Sequence, residues 1–102
     1  MKLSIVTDAW FPQVNGVVTT ISAVTDWLRE QGHEVDLIHP GDFPTIPCPG
    51  YPEIRLALRT RDVRRRLATF RPDRVHVVTE GPLGWAAIRF LDRVGWRRTS
   101  SF

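Results

Sequence analysis

Thr7-Asp8-Ala9-Trp10-Phe11-Pro12-Gln13-Val14-Asn15-Gly16 is the stretch whose reading decides the fold. Ahead of it, Leu3-Ser4-Ile5-Val6 reads as a short, mostly apolar strand. Behind it, Val17, Ile21, Val24 and Leu28 recur at offsets of four, seven and eleven, one face of an α-helix. The stretch is therefore a long loop from a strand into a helix, with Gly16 where the helix begins. A helix start offers unpaired N–H groups and a partial positive charge. A glycine there lets a phosphate come close to the backbone.

Working outward, the first strand runs from Lys2 to Thr7 and the first helix from Gly16 to Gln31, closed by Gly32. Glu34 to His39 alternates and then turns apolar, a second strand. Pro40, Pro44, Pro47, Pro49 and Pro52 then crowd one segment, which predicts an ordered or extended loop and no helix. Ile54 to Leu58 reads as a third strand. Val63, Leu67 and Phe70 mark a short helix from Asp62 to Phe70, stopped by Pro72. Arg74 to Val78 is a fourth strand. Thr79-Glu80-Gly81-Pro82 breaks it, and Leu83, Ala87, Phe90 and Val94 give a third helical face, widened by Ala86 and Leu91 and ended by Gly95. Arg98 to Phe102 opens a fifth strand. Strands alternating with helices imply an α/β, Rossmann-like parallel sheet with flanking helices.

A strand order of 3-2-1-4-5 makes strands one and four neighbours, with the winding reversing between them. Ligands bind outside the carboxyl ends of strands at such a switch point. The loops there are Thr7–Gly16 and Thr79–Gly84, so two helix N-termini are expected to aim at one crevice. That crevice suits an anion or a hydroxyl-rich ligand, with Glu80 as a lone carboxylate. No G-x-G-x-x-G follows the first strand and no G-x-x-x-x-G-K-[ST] occurs, so nicotinamide and Walker-type sites are not indicated.

With 102 residues, one domain is the ceiling. At 42% hydrophobic and 25% charged, the composition is that of an ordinary globular chain. No apolar run approaches the roughly 20 residues of a membrane span, and the N-terminus does not read as a secretory signal. The single Cys48 excludes an intrachain disulfide and fits a reducing, cytoplasmic setting. The net charge of +3 is unevenly spread. Arg55, Arg59, Arg61, Arg64, Arg65, Arg66, Arg71 and Arg74 cluster against only Asp62 and Asp73. Arg61, Arg64, Arg65 and Arg66 flank the apolar stripe of the second helix. They read as a solvated face or as a basic amphipathic element touching an anionic surface, peripheral at the inner face of a membrane. Nucleic acid is a poor partner, because the basic run lacks interleaved aromatics and matches no nucleic-acid motif.

The run Ile5 to Val18, the Gly32-His33-Glu34-Val35 turn, and Pro72-Asp73-Arg74-Val75-His76 through Thr79-Glu80-Gly81-Pro82-Leu83-Gly84 resemble the N-terminal part of retaining glycosyltransferases of the GT-B fold. The nearest group resembles the bacterial mannosyltransferases and sulfoquinovosyl-diacylglycerol synthase-like enzymes of glycosyltransferase family four. The resemblance implies two Rossmann-like halves facing across a cleft, the N-terminal one handling the acceptor. It implies transfer of a hexose from a nucleotide sugar, such as a GDP- or UDP-hexose, to a lipid or glycan acceptor. Gly16, flanked by Asn15 and Val17, takes the place of the backbone that approaches the donor diphosphate. Asp8, Trp10 and Phe11 fall where the family's loop borders the acceptor, and Glu80 and Gly81 at the cleft end of strand four. No metal is implied, since no Asp-x-Asp run is present, and no catalytic residue is assigned.

Such enzymes are several hundred residues long, and many carry a histidine just past strand five, where this sequence stops at Ser101-Phe102. The expectation is an incomplete N-terminal, acceptor-side domain over residues 1–102, lacking the donor domain and inert on its own. Its exposed sheet edge is expected to self-associate. The alternative is a self-contained, non-catalytic α/β module that binds a small anion or a protein partner.

Blander roles stand beside these. Glu80 would serve equally as a cap on the helix at Leu83, and Trp10 and Phe11 as loop anchors folded onto the sheet. His33, His39 and His76 lack metal-ligand spacing, and His76 reads as a packed strand histidine. Cys48 reads as incidental, and Trp27, Trp85 and Trp96 as packing or interface residues.

Overall fold

Ser4, Ile5 and Val6 are buried in β1 (Lys2–Val6), the centre of the structure. The computed structural model describes residues 1–10 and 16–101. Next come α1 (Gly16–Glu30), β2 (Glu34–Ile38) and a 3-10 turn (Pro40–Asp42). β3 (Thr45–Cys48), β4 (Tyr51–Ala57) and α2 (Arg61–Phe70) follow. β5 (Arg74–Val77), α3 (Pro82–Val94) and β6 (Thr99–Ser100) complete the order.

The α/β class is as expected, with four parallel strands in the order β2-β1-β5-β6. Lys2 pairs with Glu34 through Val6 with Ile38 on one side. Leu3 pairs with Arg74 through Val6 with Val77 on the other.

The expected third strand is corrected. It does not extend the parallel sheet beyond β2. β4 pairs antiparallel with β3 in a separate two-stranded sheet, whose register shifts between Pro47 and Cys48. Proline supplies no N–H to a ladder, so Pro47 and Pro52 suit a short hairpin better than a strand of a larger sheet. The proline-rich segment, expected as an ordered or extended loop without a helix, instead holds regular elements. Pro40 opens the 3-10 turn, where its missing N–H costs nothing, and the segment includes β3.

Right-handed crossovers put the helices on two faces. The step from β1 to β2 runs one way across the sheet, and the step from β5 to β6 runs the other. On the α3 side the core is Val6, Ile38, Val75 and Val77 under Val63 and Leu67 of α2 and Leu83, Ala87 and Leu91 of α3. On the opposite side α1 alone covers the β1–β2 half. Its buried residues are Val18, Ile21 and Thr25, not the full stripe of Val17, Ile21, Val24 and Leu28. Val17 and Val24 stay 46% and 45% exposed because they overhang the uncovered β5–β6 half.

Candidate functional site

The two loops read as neighbours do meet. The Asp8 N–H donates to Thr79 Oγ1 at 2.7 Å, and that hydroxyl donates to Asp8 Oδ2 at 2.8 Å. Asp8 also takes the N–H groups of Leu83 (2.8 Å) and Gly84 (3.2 Å) in the first turn of α3. The α3 N-terminus is thus filled by a carboxylate from the other loop, which corrects the expectation of two helix N-termini open to one crevice. Gly81, the residue before α3, is buried, and a side chain on it would run into the Asp8 carboxylate. Glu80 is exposed and is not the cap.

The other helix start is that of α1. Its first turn carries no acidic side chain. Gly16 and Val17 line a cavity of about 720 Å³ together with Thr79. The cavity runs down the uncovered sheet face, past Val24 of α1 and His76 and Val78 of the β5 side. His76 is held there by hydrogen bonds of 2.6 Å between each of its two ring nitrogens and the hydroxyls of Thr99 and Ser101. A side chain added at Gly16 would meet nothing within 4 Å among the described residues. Packing among the described residues therefore gives no reason for a glycine at this position.

Trp10 turns toward β2, where its ring stacks on His39 at 4.4 Å and 30°. His39 Nδ1 accepts the Gly41 N–H at 3.0 Å. Burial lowers the His39 pKa from its ordinary 6.5, with Arg66 adding to the effect and Asp42 and Asp36 opposing it. Arg66 bridges Asp36 and Asp42, the latter at 2.8 Å, and ties α2 to β2 and the 3-10 turn. It is thereby separated from Arg61, Arg64 and Arg65, with which the sequence grouped it. Phe11 and Asn15 lie outside the described residues.

Residues 14–99 match the model of Glycosyltransferase Family 4. The chain belongs to that family. Relatives of this family 4 chain are longer. It is 28% identical over 113 residues to a GDP-mannose-dependent alpha-mannosyltransferase of Mycobacterium tuberculosis, covering 93% of this chain and 30% of that protein. It is 28% identical over 104 residues to a protein of the same description from Corynebacterium glutamicum, covering 85% and 25%. It is 29% identical over 102 residues to an alpha-monoglucosyldiacylglycerol synthase of Streptococcus pneumoniae, covering 86% and 23%. The chain thus spans less than a third of the length of these relatives. No solved structure matches it.

Sequence reasoning on this family 4 chain missed three features. Asp8 and Thr79 had no local signal, since they are 71 positions apart. The Trp10–His39 stack needs the tertiary fold as well. Arg89 and Arg93 fell outside the basic segment, yet they line one groove with Arg61 and Arg64. Helical spacing on α3 was the signal that could have found them.

Proposed function

We propose that this chain is an N-terminal, acceptor-side segment of a retaining glycosyltransferase that moves a hexose from a nucleotide sugar to a lipid or glycan acceptor. Family membership and the names of the relatives support the reaction class. The observation that carries the site is Gly16, at the head of α1 and lining the cavity, with no packing reason among the described residues for lacking a side chain. The α1 N-terminus, with Gly16 flanked by Asn15 and Val17, receives the donor diphosphate through backbone N–H groups. Fixed donors of this kind stabilise the negative charge that builds on the leaving diphosphate. Asp8 and Gly81 act indirectly, by locking the Thr79–Glu80 loop against the same cavity. Trp10, Phe11 and Glu80 border the acceptor. The reading calls for no metal, and it places the protein on the cytoplasmic side of a membrane.

Nuclear magnetic resonance of the labelled 102-residue chain tests this. GDP, UDP and inorganic pyrophosphate are expected to shift the amides of Gly16, Val17 and Thr79, with weak, millimolar affinity. The chain alone is expected to transfer no hexose from GDP-mannose or UDP-glucose. Shifts confined to other residues would overturn the assignment of Gly16. Hexose transfer by the isolated chain would overturn the acceptor-segment reading. Tight, stoichiometric anion binding without transfer would favour a self-contained binding module.

A further inference from the structure

β2 is an outer strand of the parallel sheet, and a groove of about 450 Å³ runs along it, bounded by α1, the 3-10 turn and α2. Volumes of about 300–1,000 Å³ hold small molecules. Ser22, Asp26 and Arg29 reach the groove from α1, at spacings of three and four residues that share one helical flank. Asp36, Asp42 and Arg66 line it from the β2 side. None of these residues lines the Gly16 cavity. Both arginines are already fixed. Arg29 donates to the Val35 carbonyl at 3.0 Å, and Arg66 is anchored by Asp36 and Asp42. A ligand therefore does not have to order them. Trp10 is held at the same groove by its stack on His39.

The groove wall combines three carboxylates with two guanidinium groups. An ionised carboxylate only accepts hydrogen bonds, and a guanidinium only donates them. An anion would satisfy the arginines and be repelled by the carboxylates; a cation would do the reverse. His39 brings no charge that would favour an anion, since burial lowers its pKa. A hydroxyl both donates and accepts, so a neutral ligand with hydroxyls on adjacent atoms suits both kinds of wall group. Trp10 adds an apolar ring that carries one polar N–H, a match for the mixed faces of a sugar ring. Thr25 also lines the groove, 2% exposed, and its hydroxyl has no hydrogen-bond partner among the described residues. Buried hydroxyls are normally paired, so packing among the described residues does not account for this one. A hydroxyl-bearing ligand offers it a partner.

We propose that the groove along β2 binds a neutral saccharide, packed against Trp10, with its hydroxyls shared between Asp26 and Arg29 of α1 and Asp42 and Arg66 on the β2 side. The proposal rests on the sugar-transfer reading for its purpose and sharpens it. Of lipid and glycan acceptors it selects a glycan, one of whose sugar units sits outside the Gly16 cavity. The mixed wall rejects phosphate, which separates this groove from the start of α1.

Nuclear magnetic resonance of the labelled chain with methyl α-mannopyranoside and with isomaltose tests it. The sugars are expected to shift the Trp10 indole N–H and the amides of Asp26, Arg29 and Asp42, with millimolar affinity. Gly16 and Thr79 should stay in place, and inorganic phosphate should leave the groove signals unmoved. Asp26→Ala removes one charged acceptor and should weaken binding about tenfold. Glu30→Ala, which removes a carboxylate outside the groove, should leave the affinity unchanged. Both side chains are exposed, so circular dichroism should show unchanged folding in either variant. Groove signals unmoved by both sugars, moved as much by glycerol at the same concentration, or claimed by inorganic phosphate would each overturn the proposal. So would equal affinity in Asp26→Ala and the parent. The two readings fail separately. Pyrophosphate shifts at Gly16 without sugar shifts in the groove would remove the saccharide site alone. Sugar shifts in the groove without pyrophosphate shifts would remove the assignment of Gly16 and leave this site standing.

Discussion

Asp8 is the residue that joins the two loops, and its work is structural before anything else. One carboxylate satisfies two N–H groups of α3 and the Thr79 hydroxyl. Asp8→Ala leaves these donors without their acceptor and should cost about 2 kcal/mol, read as a lower urea midpoint. Asp8→Asn keeps one acceptor oxygen and should cost less. A midpoint unchanged in Asp8→Ala would mean that water replaces the carboxylate at no cost. His39 sets a pH dependence. Burial, the largest influence, disfavours its protonated form, and protonation at Nδ1 would also break the bond from Gly41. The folded state therefore takes up this proton less readily than the unfolded chain. Stability is retained above pH 6.5 and lost as pH falls from there through the lowered folded value. Asn at this position keeps an acceptor for the Gly41 N–H and cannot titrate. The fall between pH 7 and pH 5 should thus flatten in His39→Asn, measured by denaturation across that range. An identical slope in both proteins would assign the acid sensitivity to other groups.

At the scale of elements, α1 and α3 begin alike in sequence, each with a glycine near a helix start, and the fold treats them differently. Gly84 of α3 sits against the Thr79 backbone carbonyl, which an added Cβ would overlap. Backbone cannot swing away as a side-chain tip can. Gly84→Ala should destabilise the chain by about 2–3 kcal/mol through overpacking, visible as a Tm drop of ten degrees or more. At Gly16 of α1 no described residue lies within 4 Å of where its Cβ would go. Gly16→Ala should change stability by less than about 0.5 kcal/mol while weakening the shift of the Val17 amide by pyrophosphate. A Gly16→Ala protein that binds pyrophosphate as well as the parent would remove the close-approach argument. α2 shows how one helix divides its charges. Val63 and Leu67 face the core, Arg66 points to Asp36 and Asp42 on one flank, and Arg61 and Arg64 lie on the other.

For the molecule as a whole, the consequence of the topology is a sheet covered on one face and half covered on the other. Three strand-to-helix units put two helices on the α3 side and one on the α1 side, so Val17, Val24, His76 and Val78 line an open cavity. Beside it lies β6, two residues long and, among the described residues, paired on one side only. Self-association is expected along this edge, where unpaired strand groups and exposed valines coincide. Sedimentation velocity should show a concentration-dependent rise in mass that Val24→Glu lowers; a monomer at all concentrations would refute it. The alternation of apolar strands and amphipathic helices, the glycine and proline stops, and the motif runs around Gly16 and Glu80 are local patterns. From them the sequence by itself determined the α/β class, the three α-helices, the strands of the parallel sheet and the family. Pairing partners are not local. The tertiary structure alone decided that β4 leaves the main sheet for a hairpin and that the α1 stripe is only partly buried. It alone decided that Asp8 closes α3 and that arginines from two helices share one groove. Each of these depends on which surfaces meet, and that is settled by competition among contacts distant in the chain, which no local period or spacing encodes.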